Sequence, residues 1–179
     1  MGKCRVAING FGRIGRVFAR AIQGNDSIEL VAINDLSDTV TLAHLLKYDS
    51  VHRGFNGTIS AAGNEIIING IAVKVFNERD PENLPWASLN VDVVVEATGF
   101  FRTRALASKH IKAGAKKVIL SAPAKEDGVR TVVMGINDDL IDGTEQIISN
   151  ASCTTNCAAP MVKIIDELCG IQNGYITTI

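Results

Sequence analysis

Near the N-terminus, Asn9-Gly10-Phe11-Gly12-Arg13-Ile14-Gly15 stands between a short apolar run and a segment of helical period. A Gly-x-Gly-x-x-Gly pattern in that setting is suited to holding the pyrophosphate of a dinucleotide. Gly10 permits the tight turn, Gly12 lets phosphate approach the backbone, and Gly15 lets the helix pack closely on the strand. Free N–H groups of the first helical turn then meet the anion. Asp35 closes the next apolar run, at the distance along the chain where a carboxylate accepts hydrogen bonds from both ribose hydroxyls. It would also repel a 2′-phosphate, so the pattern favours NAD over NADP. A glycine turn that holds no ligand is the competing reading.

A second group, Ala151-Ser152-Cys153-Thr154-Thr155-Asn156-Cys157, follows the apolar run Ile147-Ile148 and starts a helical segment. A cysteine near a helix N-terminus has its thiolate favoured by the dipole, and the same N–H groups can stabilise an oxyanion on a carbonyl carbon bonded to sulfur. Cys153 is therefore a candidate covalent nucleophile. Small residues that merely cap and pack a helix are the alternative. Cys153 and Cys157 are one helical turn apart, but two thiols without further ligands make a poor zinc site. His44, His52 and His110 are too scattered to form one, and His110, four residues after Leu106, reads as a helix-face histidine. Cys4 and Cys169 read as core thiols. Lys109, Lys112, Lys116 and Lys117 read as a solvated basic face, with nucleic-acid contact as the alternative.

Elements of alternating period must position these groups. Arg5–Asn9 reads as a buried strand, and Phe11–Gln23 as a helix whose inner face carries Ile14, Val17, Phe18, Ala21 and Ile22, capped by Gly24. Ile28–Asn34 is the next strand and Val40–Lys47 the next helix. Glu65–Ile68 and Ile71–Val75 flank Asn69-Gly70, the signature of a two-residue hairpin turn. A polar, proline-punctuated connection leads to a strand over Val91–Ala97 and a helix around Leu106, Ala107, His110 and Ile111. Lys117–Ser121, Thr131–Met134 and Gln146–Ser149 read as strands, and Ser152–Leu168 as a helix stopped by Gly170. Gly174–Ile179 has strand composition.

The expected fold is therefore α/β: a Rossmann-type, doubly wound, mostly parallel sheet with an antiparallel hairpin excursion. The expected domains are a dinucleotide-binding domain over 1–150 and, over 151–179, the first helix and strand of an incomplete second domain. A strand without a partner at Gly174–Ile179 suggests the front part of a longer polypeptide. With 46% hydrophobic and 21% charged residues, the chain can bury a core. Its net charge of -1 gives no electrostatic footprint for nucleic acid or an anionic membrane. Four unevenly spaced cysteines, no signal-peptide pattern and no long apolar run fit a cytoplasmic protein.

Taken together, Asn9–Arg16, Leu45-Leu46-Lys47-Tyr48-Asp49-Ser50, Ser121-Ala122-Pro123 and Ala151–Cys157 resemble the phosphorylating glyceraldehyde-3-phosphate dehydrogenases, in order along essentially the whole chain. The resemblance implies NAD-dependent oxidation of glyceraldehyde 3-phosphate with uptake of inorganic phosphate, a step of glycolysis and gluconeogenesis, in a homotetramer. It implies that Cys153 attacks the aldehyde, hydride passes to the nicotinamide, and phosphate releases the thioester as an acyl phosphate. By similarity, Asn9, Gly10, Phe11, Gly12, Arg13 and Ile14 form the cofactor loop, Asp35 meets the ribose, Arg79 lies beside the adenine and Ser121 beside the nicotinamide half. Ser152 and Thr154 match residues that bind substrate or phosphate. The family's catalytic histidine would follow Ile179, and its downstream phosphate-binding arginine and threonine residues lie beyond that point. Two departures stand out: Arg53-Gly54 where the family has Gly-Arg, and Ala158 for a more usual leucine. The related erythrose-4-phosphate dehydrogenases share the glycine and cysteine motifs, although Ser121-Ala122-Pro123-Ala124-Lys125 looks more like the triose enzyme. A non-catalytic NAD-binding module is the remaining alternative.

Overall fold

Apolar runs such as Leu30-Val31-Ala32-Ile33 are satisfied only where both faces of a strand are covered, the situation inside a parallel sheet. A computed structural model describes residues 2–178 and places these runs in one nine-stranded sheet. The elements are β1 (Cys4–Asn9), α1 (Arg13–Ala21), β2 (Ile28–Asn34), α2 (Thr39–Lys47), β3 (Ile59–Ala62), β4 (Glu65–Ile68) and β5 (Ile71–Phe76). They continue with β6 (Val93–Glu96), α3 (Arg104–Lys112), β7 (Lys117–Leu120), β8 (Arg130–Thr131), β9 (Ile147–Ser149) and α4 (Cys153–Cys169). Strand order is β3-β4-β5-β2-β1-β6-β7-β9-β8. All pairs from β5 to β8 are parallel, and β3-β4-β5 is an antiparallel meander. The order reverses between β1 and β6, which opens a crevice at the carboxyl ends of the strands.

Side-chain alternation divides the core. Ala7 belongs to a cluster with Trp86, Val94 and Leu120, whereas its neighbour Ile8 packs with Phe11, Ile33, Leu42 and Leu46. Asn69 and Gly70 both have positive φ, as the hairpin turn requires. Asp38 caps α2 by accepting from the Thr41 N–H (2.8 Å) and hydroxyl (2.6 Å), bonds that hold its carboxyl below the usual range.

Several expectations are corrected. On α1, Phe18 and Ile22 pack on the core as expected, together with Gly15 and Ala19, but Ile14 is 51% exposed and Ala21 is also exposed, because the close approach at Gly15 fixes which side of the helix meets the sheet. The strand expected over Thr131–Met134 shrinks to Arg130–Thr131: the Val133 N–H is taken by the Asn137 side chain, and Met134 is exposed. Cys169 is exposed rather than in the core, since α4 has its apolar residues Met161, Ile164, Ile165 and Leu168 uncovered within the described chain. No strand forms over 174–178, where Tyr175 and Ile176 are exposed; Ile179 lies outside the described residues.

The exchanged pair at 53 and 54 has a structural consequence. Arg53 has φ +62°, a left-handed conformation in which a β-carbon is strained, whereas a β-carbon at Gly54 would meet open space. The double exchange Arg53→Gly/Gly54→Arg is expected to stabilise the chain by about 1 kcal/mol. An unchanged or lower denaturation midpoint would refute this.

Candidate functional site

The turn after β1 is shaped by close approach. Gly10 has φ +90°, and a β-carbon there would lie 2.7 Å from the Thr98 N–H nitrogen. At Gly15 a β-carbon would collide with the Gly10 carbonyl, so the helix can sit on the strand only without one. Gly12 differs, because a β-carbon there would meet no atom of the chain. Nothing among the described residues demands glycine at 12. Asp35, at the end of β2, accepts the Phe11 N–H on Oδ2 (2.7 Å) and the Ser37 N–H on Oδ1 (2.9 Å), which ties the glycine turn to the neighbouring strand.

A crevice of about 420 Å³ opens above this turn. Its floor includes Asn9, Gly10 and Gly12, and one wall is Asp35, Leu36, Glu78 and Arg79. Ala97, Thr98, Phe100 and Phe101 form the other wall. Among the expected cofactor residues, Asn9, Gly10, Gly12, Asp35 and Arg79 meet here. The Phe11 side chain is fully buried in the core, so only its backbone faces the turn, and Arg13, Ile14 and Ser121 do not line the crevice. Ser121 is nonetheless linked to it, its N–H donating to the Glu96 carbonyl at 3.0 Å. The Thr98–Phe101 wall was not anticipated. Its only sequence signal is that Ala97-Thr98-Gly99 directly follows a buried strand. A more open hollow of about 560 Å³ beside β8, lined by Arg104, Arg130 and Glu145 among others, contains none of the motif residues.

The cysteine loop is stitched to the same end of the sheet. Asn150 N–H donates to the Leu120 carbonyl (2.9 Å), and the Ser149 hydroxyl donates to the Ala122 carbonyl (2.9 Å). Ala151, 3% exposed, has φ +58°, a left-handed residue immediately before the helix. Ser152 then caps α4, its hydroxyl oxygen accepting the Thr155 N–H at 2.9 Å. Asn156 closes the turn, donating to the Asn150 (2.7 Å) and Ser152 (2.9 Å) carbonyls. Cys153 is exposed at the first helical position, where no helix carbonyl can reach the N–H groups of residues 153 and 154. Thr154 is exposed beside it.

Residues 4–104 match the family model described as the glyceraldehyde 3-phosphate dehydrogenase NAD binding domain, and residues 152–179 that of its C-terminal domain. The chain belongs to the glyceraldehyde-3-phosphate dehydrogenase family. It is 54% identical to the glyceraldehyde-3-phosphate dehydrogenase of Clostridium pasteurianum, across 98% of this chain and 52% of the relative. To that of Geobacillus stearothermophilus it is 55% identical (98% and 52%), and to that of Thermotoga maritima 56% (98% and 53%). The chain spans about half the length of the curated relatives it matches.

As a member of the glyceraldehyde-3-phosphate dehydrogenase family the chain takes NAD as its cofactor, and the crevice fits that group. Gly12 leaves open space where a pyrophosphate needs it, and Asp35 presents a carboxylate at the end of β2. The partners found for the three histidines do not include Cys153. His44 packs on Tyr48 with ring centroids 4.9 Å apart, His52 Nδ1 lies 3.2 Å from Asp49, and His110 is fully buried. The four lysines are partnered: Lys109 with Asp80 (2.9 Å), Lys112 with Glu82 (3.5 Å), Lys116 with Asp92 (2.7 Å), and Lys117 with the Gly143 and Glu145 carbonyls. Asp80, Glu82 and Asp92 thus offset three of the four lysines. No described helix is long and apolar enough to cross a membrane.

Proposed function

We propose that residues 1–150 form the NAD-binding domain, and residues 151–179 the start of the catalytic domain, of a phosphorylating glyceraldehyde-3-phosphate dehydrogenase that works in the cytoplasm as a homotetramer. The observation that carries this reading is that the crevice and Cys153 both lie beyond the carboxyl ends of the parallel strands, the Ser149–Ala122 and Asn150–Leu120 bonds tying the cysteine loop to the end of β7 and the Ser121–Glu96 bond tying that end to β6. Asn9, Gly10, Phe11, Gly12, Arg13 and Ile14 present backbone to the pyrophosphate. Asp35 accepts from the adenosine ribose, Arg79 flanks the adenine, and Ser121 borders the nicotinamide half. NAD, when bound, supplies the two-electron acceptor.

The Cys153 sulfur adds to the aldehyde carbon of glyceraldehyde 3-phosphate, and the former carbonyl oxygen takes a proton. Loss of hydride and of that proton leaves a thioester on Cys153. An oxygen of inorganic phosphate, positioned by Ser152 and Thr154, attacks the thioester carbon. The C–S bond breaks, the thiol is restored and 1,3-bisphosphoglycerate departs. The first-turn N–H groups of α4 favour negative charge on the substrate oxygen.

Brief iodoacetamide treatment of the folded chain, followed by peptide mapping, tests the nucleophile. Cys153 is expected to label ahead of Cys4 and Cys169. Burial, and secondarily Asp92, push the Cys4 thiol above its ordinary value, so it stays protonated near neutral pH. Cys169 lies at the opposite end of α4, away from the first-turn N–H groups. Preferential labelling of Cys4 or Cys169 would overturn the assignment.

A further inference from the structure

A chain of buried polar groups runs beneath the crevice, and its hydrogen-bond directions are fixed at both ends. At one end the Glu78 main chain sets Asn34: the Glu78 N–H donates to Asn34 Oδ1 (2.9 Å), and Asn34 Nδ2 donates to the Glu78 carbonyl (2.9 Å). Asn34 Nδ2 also donates to Asn9 Oδ1 (2.7 Å), which turns Asn9 Nδ2 toward Glu96 Oε2 (2.6 Å). At the other end the indole N–H of Trp86, a donor only, meets His110 Nδ1 at 3.0 Å. Nδ1 must therefore accept, the hydrogen sits on Nε2, and Nε2 donates to Glu96 Oε2 at 3.0 Å. The 3.5 Å approach of Asn9 Nδ2 to His110 Nε2 is two donors converging on one oxygen. Glu96 Oε1 accepts the Thr98 N–H (2.8 Å) and the Thr98 hydroxyl. Both oxygens face donors, and the side chain is 2% exposed, so the Glu96 carboxyl gathers the bonds of Asn9, His110 and Thr98 at one buried point.

The chain branches at Glu96, and two of its branches end in the two walls of the crevice: Glu78 beside Arg79 on one side, Thr98 on the other. We infer that Glu96 is a positioning residue, whose buried carboxylate sets the separation of the two crevice walls so that a dinucleotide spanning both is bound in a preformed site. Glu96 touches no ligand itself; it acts through Asn9 and Thr98. A carboxamide cannot replace it. If its NH2 takes the Oε2 place it opposes Asn9 Nδ2 and His110 Nε2, and if it takes the Oε1 place it opposes the Thr98 N–H. Turning Asn9 over to accommodate it would set Asn9 Nδ2 against Asn34 Nδ2, which the Glu78 main chain holds in place.

The inference rests on NAD binding in this crevice, and the test separates the two. Dissociation constants for NAD, which spans both walls, and for AMP, which needs only the Asp35–Arg79 side, are measured calorimetrically. The wild-type chain is compared with Glu96→Gln and with the double variant Trp86→Phe/His110→Phe. The double variant removes a donor and its acceptor together, keeps aromatic packing, and leaves every crevice residue in place. Circular dichroism checks folding, and should Glu96→Gln not fold, the double variant decides. For a folded variant, NAD is expected to weaken about tenfold while AMP stays within about twofold, the signature of a lost wall separation. Equal weakening of both ligands, or NAD within about twofold of wild type, would overturn the positioning role. Failure of the wild-type chain to bind NAD would overturn the cofactor reading and this inference with it.

Discussion

Supplied with glyceraldehyde 3-phosphate, inorganic phosphate and NAD, the 179-residue chain is expected to form no NADH above background, whereas a chain extended to the length of its relatives forms it readily. The reason lies around Cys153. Thiol addition followed by oxidation needs a group to take the thiol proton and then the hydroxyl proton of the adduct, a service commonly worth about 10² to 10⁴-fold. Among the described residues no such base stands at Cys153. His52 is tied to Asp49, His44 lies on α2 against Tyr48, and His110 spends both ring nitrogens on Trp86 and Glu96. Nor does any described element cover the exposed face of α4 to position the aldehyde and its phosphate, so the advantage of proximity is lost at the same step. NADH absorbance with both chains at equal concentration decides. Near-equal rates would show that the groups on this chain suffice and would overturn the account of the missing base. In the extended chain, Cys153→Ser is expected to fall to background as well.

Asp35→Ala is expected to raise the NAD dissociation constant by about 10- to 100-fold, roughly 1.4 to 2.8 kcal/mol. Asp35 does two things that alanine cannot. It holds the glycine turn to β2 through the Phe11 N–H at 2.7 Å, and in the proposed binding mode its half-buried carboxylate accepts from the ribose hydroxyls. Asp35→Asn separates them, since an amide oxygen still accepts from Phe11 but the charge that repels a 2′-phosphate is gone. NAD should then weaken less than in the alanine variant, and the gap between NAD and NADP should narrow. Titration of the wild-type chain with the two cofactors is the control. Identical curves would remove Asp35 as the determinant.

Local pattern carried much of the fold. The buried runs at Ile28–Asn34 and Glu65–Ile68 became strands with those bounds, and Asn69-Gly70 became the hairpin turn. Both follow from period and turn chemistry over a few residues, which the surroundings modify little. Gly10 and Gly15 were legible for the same reason, because each answers a backbone requirement that no side chain can meet, whereas Gly12 was legible only from the motif. Errors came where a segment's neighbours decided. Ile14 lies on an apolar helical face yet is half exposed, because Gly15 and Ala19 set the helix against the sheet. Met134 and Tyr175 have strand character but find no strand to pair with among the described residues.

For the site, the sequence alone marked the candidates for holding phosphate, ribose and a thioester: Gly10, Gly12, Asp35 and Cys153, each carried by a motif of short span. Only the tertiary structure brought Thr98 opposite Gly10 and set Asn9 beside Glu96. That pairing joins residues 87 positions apart through the parallel register of β1 and β6, and Trp86 reaches His110 across 24 positions. A hydrogen-bond chain of this kind has no period and no motif. Its members are chosen by which donors and acceptors are buried together, and burial is a property of the packed sheet rather than of any stretch of chain.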